Sequence, residues 1–159
     1  MPLLAAVAAV CKGGVTMAEY TAAALQTVDA DQNILFTDAP VPCTRGWVVH
    51  RNGSGVFTLR GLTDKCSVVY HIAFLANAAL PAAATPAPIT LGLAVNGEVL
   101  RESLSIFTPA AAEDFGNIPV MANVRVPRGC CVNVSIVNAT TPDAPVDIQN
   151  ANIEITRTA

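Results

Sequence analysis

Short stretches of alternating hydrophobic and polar residues recur along most of the chain, separated by clusters of Gly, Pro, Asn and Asp. In "CVNVSIVN" (131–138), Val132, Val134 and Ile136 share one face, while Asn133, Ser135 and Asn138 take polar positions. A period of two with one apolar face predicts a half-buried β-strand. "NILFT" (33–37), "IPVMANVRVP" (118–127) and "IQNANIEITR" (148–157) extend the series. Two tight turns stand out. Asn52-Gly53-Ser54-Gly55 sits inside "WVVHRNGSGVFTLRG" (47–61), and Asn96-Gly97 inside "ITLGLAVNGEVLRESLSIFT" (89–108). Such dipeptides supply the positive φ that a two-residue hairpin turn needs, so both stretches predict hairpins. Proline-rich 81–88 and 140–145 predict loops, and "TPAAAEDF" (108–115) predicts at most one helical turn.

The run 66–77 differs from the rest. One face carries Cys66, Val68, Tyr70, Ile72 and Phe74; the other carries Ser67, Val69, His71, Ala73 and Leu75. Both faces are largely apolar. Roughly eight to ten strands at about ten-residue spacing predict an all-β fold, an antiparallel two-sheet sandwich or jelly roll. One face of such a sheet packs the core, so a second apolar face needs another cover. Val69, His71, Ala73 and Leu75 are therefore the expected contact residues of a homo-oligomer.

Composition strengthens that expectation. The 159 residues are 52% hydrophobic and only 13% charged, against about 25% charged in an average domain. A compact monomer of this composition leaves apolar surface uncovered, and contact with its own copies buries it. The net charge is −3 and Lys and Arg are scattered along the sequence. No basic stripe that could neutralise a phosphate backbone is visible, so no nucleic-acid partner is expected.

Five cysteines (Cys11, Cys43, Cys66, Cys130, Cys131) are odd in number, irregularly spaced and free of any C-x-x-C. They read as free thiols and small buried hydrophobes rather than a disulfide framework or a zinc site. Cys130 and Cys131 open a strand after the Arg128-Gly129 turn, so their side chains should point to opposite faces. One would enter the core and the other a rim or subunit contact. The apolar stretch Leu3–Val10 has no preceding Lys or Arg and is about ten residues too short to span a membrane. Neither a secretory signal nor a membrane partner is expected. Gly13 and Gly14 mark a break, dividing the chain into an apolar arm (1–19) and a strand-rich head (20–159). Leu3, Leu4, Val7 and Val10 are the arm's candidate anchoring residues; the alternative is a first strand folded on its own subunit.

The chemistry-bearing patterns are weak. Asp29, Asp31 and Asn33 match the start of a calcium loop, but Ile34 stands where the turn wants Gly and Pro40 where the bidentate Glu belongs. A solvated loop is the better reading. Gly53-Ser54-Gly55 lacks the Lys and the following helix of a phosphate cradle, so it reads as a hairpin tip flanked by polar His50 and Arg51. Asn52, Asn133 and Asn138 sit in N-x-S/T sequons, which matter only on a glycosylating route. Cys66 and His71 are an odd number of positions apart and face opposite ways, and Glu113-Asp114 is the one adjacent carboxylate pair. No nucleophile–base–acid set or metal-hydrolase spacing emerges, so neither an enzyme nor a cofactor is expected.

Several segments in order carry a resemblance: "YTAAALQTVDADQNILFTD", "VVHRNGSGVFTLRG", "VNGE", and "VPRGCCVNVSIVN" followed by "IQNANIEITR". Over about residues 15–157 the chain resembles the tumour necrosis factor-like jelly-roll proteins. That group includes complement globular heads and the heads of bacterial spore-surface collagen-like proteins. More narrowly, the chain resembles small virion-associated proteins of gut Firmicutes phages and prophages. The resemblance implies a ten-strand jelly roll, a compact trimer and no catalytic residues. It implies a virion structural protein, a capsid decoration or head fibre assembled in the bacterial cytoplasm, with a capsid or other virion protein as partner. The alternative is a head that binds a host-surface glycan or receptor through loops 81–88, 109–117 or 140–146. Phe115 is the only aromatic residue in those loops.

Overall fold

A computed structural model describes residues 16–158. The anchoring candidates Leu3, Leu4, Val7 and Val10 and the thiol Cys11 lie outside the described residues. Among the described residues twelve strands form: β1 (Met17–Ala22), β2 (Gln26–Val28), β3 (Asp38–Val41), β4 (Val48–His50), β5 (Phe57–Arg60), β6 (Ser67–Ala79), β7 (Ile89–Val95), β8 (Glu98–Val99), β9 (Ser105–Phe107), β10 (Gly116–Pro127), β11 (Cys131–Asn138) and β12 (Val146–Thr158). They form two six-stranded sheets. The first runs β10-β6-β12-β1-β3 with β2 beside β12; the second runs β4-β5-β11-β7-β8 with β9 beside β7. Every pairing is antiparallel. This is the two-sheet jelly roll that strand spacing predicts.

The inner faces meet in one core. Val68, Tyr70, Ile72 and Phe74 of β6 are buried, as are Ile153 and Ile155 of β12 from the same sheet. Leu59, Leu91, Leu93, Val134 and Ile136 face them from the second sheet. Phe36 joins the layers, its ring 5.3 Å from Phe57 and 6.3 Å from Phe74. At one end Trp47 stacks on Tyr70 at 5.7 Å. The Tyr70 hydroxyl bridges the carbonyls of Arg60 (2.5 Å) and Trp47 (3.3 Å). Burial raises the pKa of the Tyr70 phenol, which keeps it a donor.

Both hairpins form where the Gly turns place them. Asn96 (φ 51°) and Gly97 (φ 86°) connect β7 to β8, and β4 pairs with β5 across 51–56. Three local expectations fail. Asn33–Thr37 is not a strand. Asn33 makes an isolated bridge to Val137, and Ile34 and Phe36 bond alternately to Ile136 and Ser54, so the segment caps an edge while inserting two buried side chains. The helical turn expected at 108–115 is absent, and a single 3-10 turn stands instead at Arg101–Ser103. The far half of β11 is not half-exposed: Ser135, Val137 and Asn138 are all buried. Asn138 is wholly enclosed. Its Nδ2 donates to Val28 O (3.0 Å) and Ala144 O (2.8 Å), and its Oδ1 accepts from Thr140 N (3.1 Å). A polar residue at an interior position is tolerated because every bond it needs is made there.

Candidate functional site: the open face of the first sheet

The long strand β6 lies between β10 and β12, and the register of the three sets out the sheet's outward face in rows. Arg125, Val69 and Thr158 make the first row, and Asn123, His71 and Thr156 the second. Met121, Ala73 and Glu154 follow, then Pro119, Leu75 and Asn152. The four residues expected from sequence, Val69, His71, Ala73 and Leu75, all project from this face. Strand alternation puts them there once the odd-numbered partners on β10 and the even-numbered ones on β12 line up. Leu75 is 52% exposed and Met121 58% exposed, the largest apolar side chains left open on the face.

Two features shape the surface. β12 carries an irregularity between Gln149 and Asn152, where Asn150 takes φ 55°. The one extra residue forms a bulge that bends the strand locally. Asn77 Nδ2 donates to Asn150 Oδ1 at 3.2 Å and ties the bulge to β6. Beside it a depression of about 520 Å³ opens, floored by Ala73, Leu75 and Asn77 and walled by Pro119, Met121 and Glu154. The β10–β6 part of the face is thus apolar over two rows, Met121 with Ala73 and Pro119 with Leu75, while Arg125, Asn123 and His71 make the rows beyond them polar. The β12–β1 half is acidic: Glu19 of β1 lies directly opposite Glu154, and Asn152 Nδ2 donates to Glu19 Oε1 at 2.6 Å. His71 Nδ1 is 2.8 Å from Asn123 Oδ1, which ties the imidazole across to β10.

Sequence reasoning missed Pro119, Met121 and Glu154. Their alternation was visible in 118–127 and 148–157, but no local signal says that these strands flank 66–77. The bulge at Asn150 had only a weak trace, the repeated Asn of "QNAN".

Other candidates fall elsewhere. Cys130 and Cys131 are both exposed, against the expectation that one enters the core. Cys130 still belongs to the turn, and at Cys131 the sheet has run out, with only Arg60 of β5 opposite. Cys66 is also exposed and Cys43 half-buried, so the buried-hydrophobe reading fails for three of the described cysteines. His50 is half-buried rather than part of a polar rim. Its ring stacks on Phe57 at 4.3 Å and lies 4.8 Å from Tyr20. Nε2 donates to Ser54 O at 2.9 Å, while Nδ1 is buried without a partner. Burial lowers its pKa and the Ser54 carbonyl partly offsets this. Among the described residues no group of three or more His, Cys, Asp or Glu can hold a metal ion. Loops 81–88 and 140–145 come together around a cavity of about 360 Å³ lined largely by Ala and Pro. The third loop joins them through Glu113 N and Leu80 O (2.9 Å).

No protein-family model matches the chain, and no curated protein matches it. Solved structures do. The globular domain of zebrafish complement 1qA protein superposes with a TM-score of 0.56 at 12% identity, over 88% of this chain and 94% of that one. The Eiger tumour necrosis factor from S. frugiperda superposes with a TM-score of 0.61 at 14% identity, over 90% of this chain and 92% of that one. At such identities the likeness is one of fold: the jelly roll of tumour necrosis factor and complement globular domains.

Proposed function

We propose that this chain is a non-enzymatic homotrimeric head that decorates a virion, and that the open face of the first sheet is the contact between its copies. The observation that carries the reading is Leu75, Met121, Pro119 and Ala73 left uncovered together on a chain of which only 13% is charged. Each subunit offers an apolar patch, Met121, Ala73, Pro119 and Leu75, beside the paired carboxylates Glu19 and Glu154. A contact between two different surfaces of the same chain is heterologous, and one that closes after three copies makes a ring rather than a filament. In this reading residues 1–14 attach the head to the particle. Three arms on one trimer act multivalently, so weak single contacts add to a tight attachment.

Two measurements test this. Sedimentation equilibrium of the full chain should give a mass three times that of the 16.4 kDa chain; a monomer ends the reading. Deleting residues 1–14 should leave the head folded and trimeric while abolishing its incorporation into particles. A truncated trimer that still decorates particles moves the attachment into the head.

A second reading has its own observation, the convergence of loops 81–88 and 140–145 on one cavity, with Phe115 42% exposed in the adjoining loop. A receptor- or glycan-binding head would use that end. The lining of Ala and Pro offers few hydrogen-bonding groups for a sugar, which favours the first reading. A glycan array with a competable hit, lost on Phe115→Ala, would reverse the order.

A further inference from the structure

The scattered cations of the sequence are gathered by the fold at one end of the sandwich. Arg45, Arg60, Lys65, Arg125, Arg128 and Arg157 are six of the nine Lys and Arg residues. Hydrogen bonds and register tie them together. Arg60 N bonds Trp47 O, and Arg60 Nη1 donates to Gly46 O (3.3 Å), beside Arg45. Arg128 N bonds Cys66 O, next to Lys65, and Arg128 Nη1 donates to Asp64 O (3.4 Å). Arg157 Nη2 donates to Leu62 O. Arg125 lies opposite Val69 and Arg157 opposite Tyr70. Three guanidinium groups are thus held by main-chain carbonyls, and the connecting turns 42–47, 61–66 and 128–130 contain one carboxylate, Asp64. Three of the six charges are thus fixed in place, and the turns offer the six little compensation. The loops at the opposite end hold Glu113, Asp114 and Asp143 and no Lys or Arg.

We propose that this arginine-rich end is a docking surface for an acidic protein surface, the one on which the head sits. The site is argued from geometry alone, but its identification with the attachment side rests on the function proposed above. The chain enters the head there: Thr16 O accepts the Arg157 N–H (2.6 Å), so residues 1–15 join the fold at its basic end. A partner held by that segment meets the arginines first. A guanidinium fork matches a carboxylate bidentately. Complementary charge steers encounter and sets orientation, while the apolar arm supplies lasting affinity. A nucleic acid fits less well. Single strands use a groove with aromatic platforms, whereas Trp47 and Tyr70 are buried here and the end is a plate of short turns. Exposed Leu62 and the Cys66 and Cys130 thiols lie among the charges, as in a protein contact.

The test uses the full chain and immobilised poly-L-glutamate as an acidic polypeptide probe, with mixed-sequence duplex DNA in a parallel arm. Binding to polyglutamate at about 50 mM salt should weaken more than about tenfold at 300 mM, as expected for several exposed charge pairs. The triple variant Arg45→Glu, Lys65→Glu, Arg128→Glu should lose at least about tenfold in affinity. Its melting curve and sedimentation should be unchanged. Arg51→Glu with Arg101→Glu, both away from this end, should bind normally. No binding to polyglutamate, or binding indifferent to the triple reversal, overturns the proposal. So does DNA binding at about 150 mM salt where polyglutamate is not held. A monomer that still binds removes the trimer reading and leaves this surface standing; a trimer that does not bind does the reverse.

Discussion

Leu75→Lys should dissolve the trimer without unfolding its subunits. Leu75 projects outward between buried Phe74 and Ala76, so the change leaves the subunit core untouched. At 52% exposure, covering Leu75 removes roughly 90 Å² of apolar surface, worth about 2 kcal/mol per copy. Lysine forfeits that and brings a charge into a contact from which water is excluded, costing several kcal/mol more unless a partner is found. Three copies repeat the loss. The hydrophobic part alone comes to about 6 kcal/mol, or roughly four decades in the trimer dissociation constant. Sedimentation velocity at micromolar concentration should therefore show the wild type as a trimer and the variant as a monomer with an unaltered circular dichroism spectrum. Leu75→Glu should do the same, because desolvation rather than the sign of the charge is responsible. Ile106→Lys, 68% exposed on β9 of the other sheet, should leave the trimer intact. A Leu75→Lys protein that stays trimeric refutes the assignment of this face.

Asn138→Ala should cost about 3–6 kcal/mol in urea unfolding, since it leaves Val28 O, Ala144 O and Thr140 N without partners in a buried place; a loss under about 1 kcal/mol would show that water replaces the amide. His50 titrates below its usual 6.5 because burial disfavours the imidazolium. The unfolded chain then binds more protons, so stability is complete above about pH 6.5 and falls as pH drops through the lowered folded value. In denaturant melts from pH 8 to 5, His50→Phe should flatten that slope, and an unchanged slope would assign the acid sensitivity elsewhere. Cys66, Cys130 and Cys131 should react with a thiol reagent in the native protein while half-buried Cys43 reacts more slowly; freshly purified protein with fewer than about five thiols in denaturant would reopen a disulfide.

Much of the local structure was legible in the residues. Alternation in 66–77 separates Tyr70, Ile72 and Phe74 from His71, Ala73 and Leu75, because a strand turns successive side chains to opposite faces whatever its neighbours are. Asn96-Gly97 declared its hairpin because few residues tolerate two successive positive φ values. The strand count pointed to two packed sheets, and the apolar composition to contact between copies. What stayed hidden was non-local. Nothing near residue 75 says that Met121 and Glu154 will stand in adjoining rows; that is settled when β10 and β12 choose β6 as their neighbour, a pairing selected by total core burial. One of Cys130 and Cys131 read as a core residue because strand alternation says nothing about where the opposing sheet stops. The cations are the plainest case. Positions 45, 60, 65, 125, 128 and 157 are scattered in sequence, yet β5, β10 and β12 end, and β4, β6 and β11 begin, at the same edge of the sandwich. Antiparallel strands bring distant turns together, so the charge of an end is a property of the topology and not of any segment.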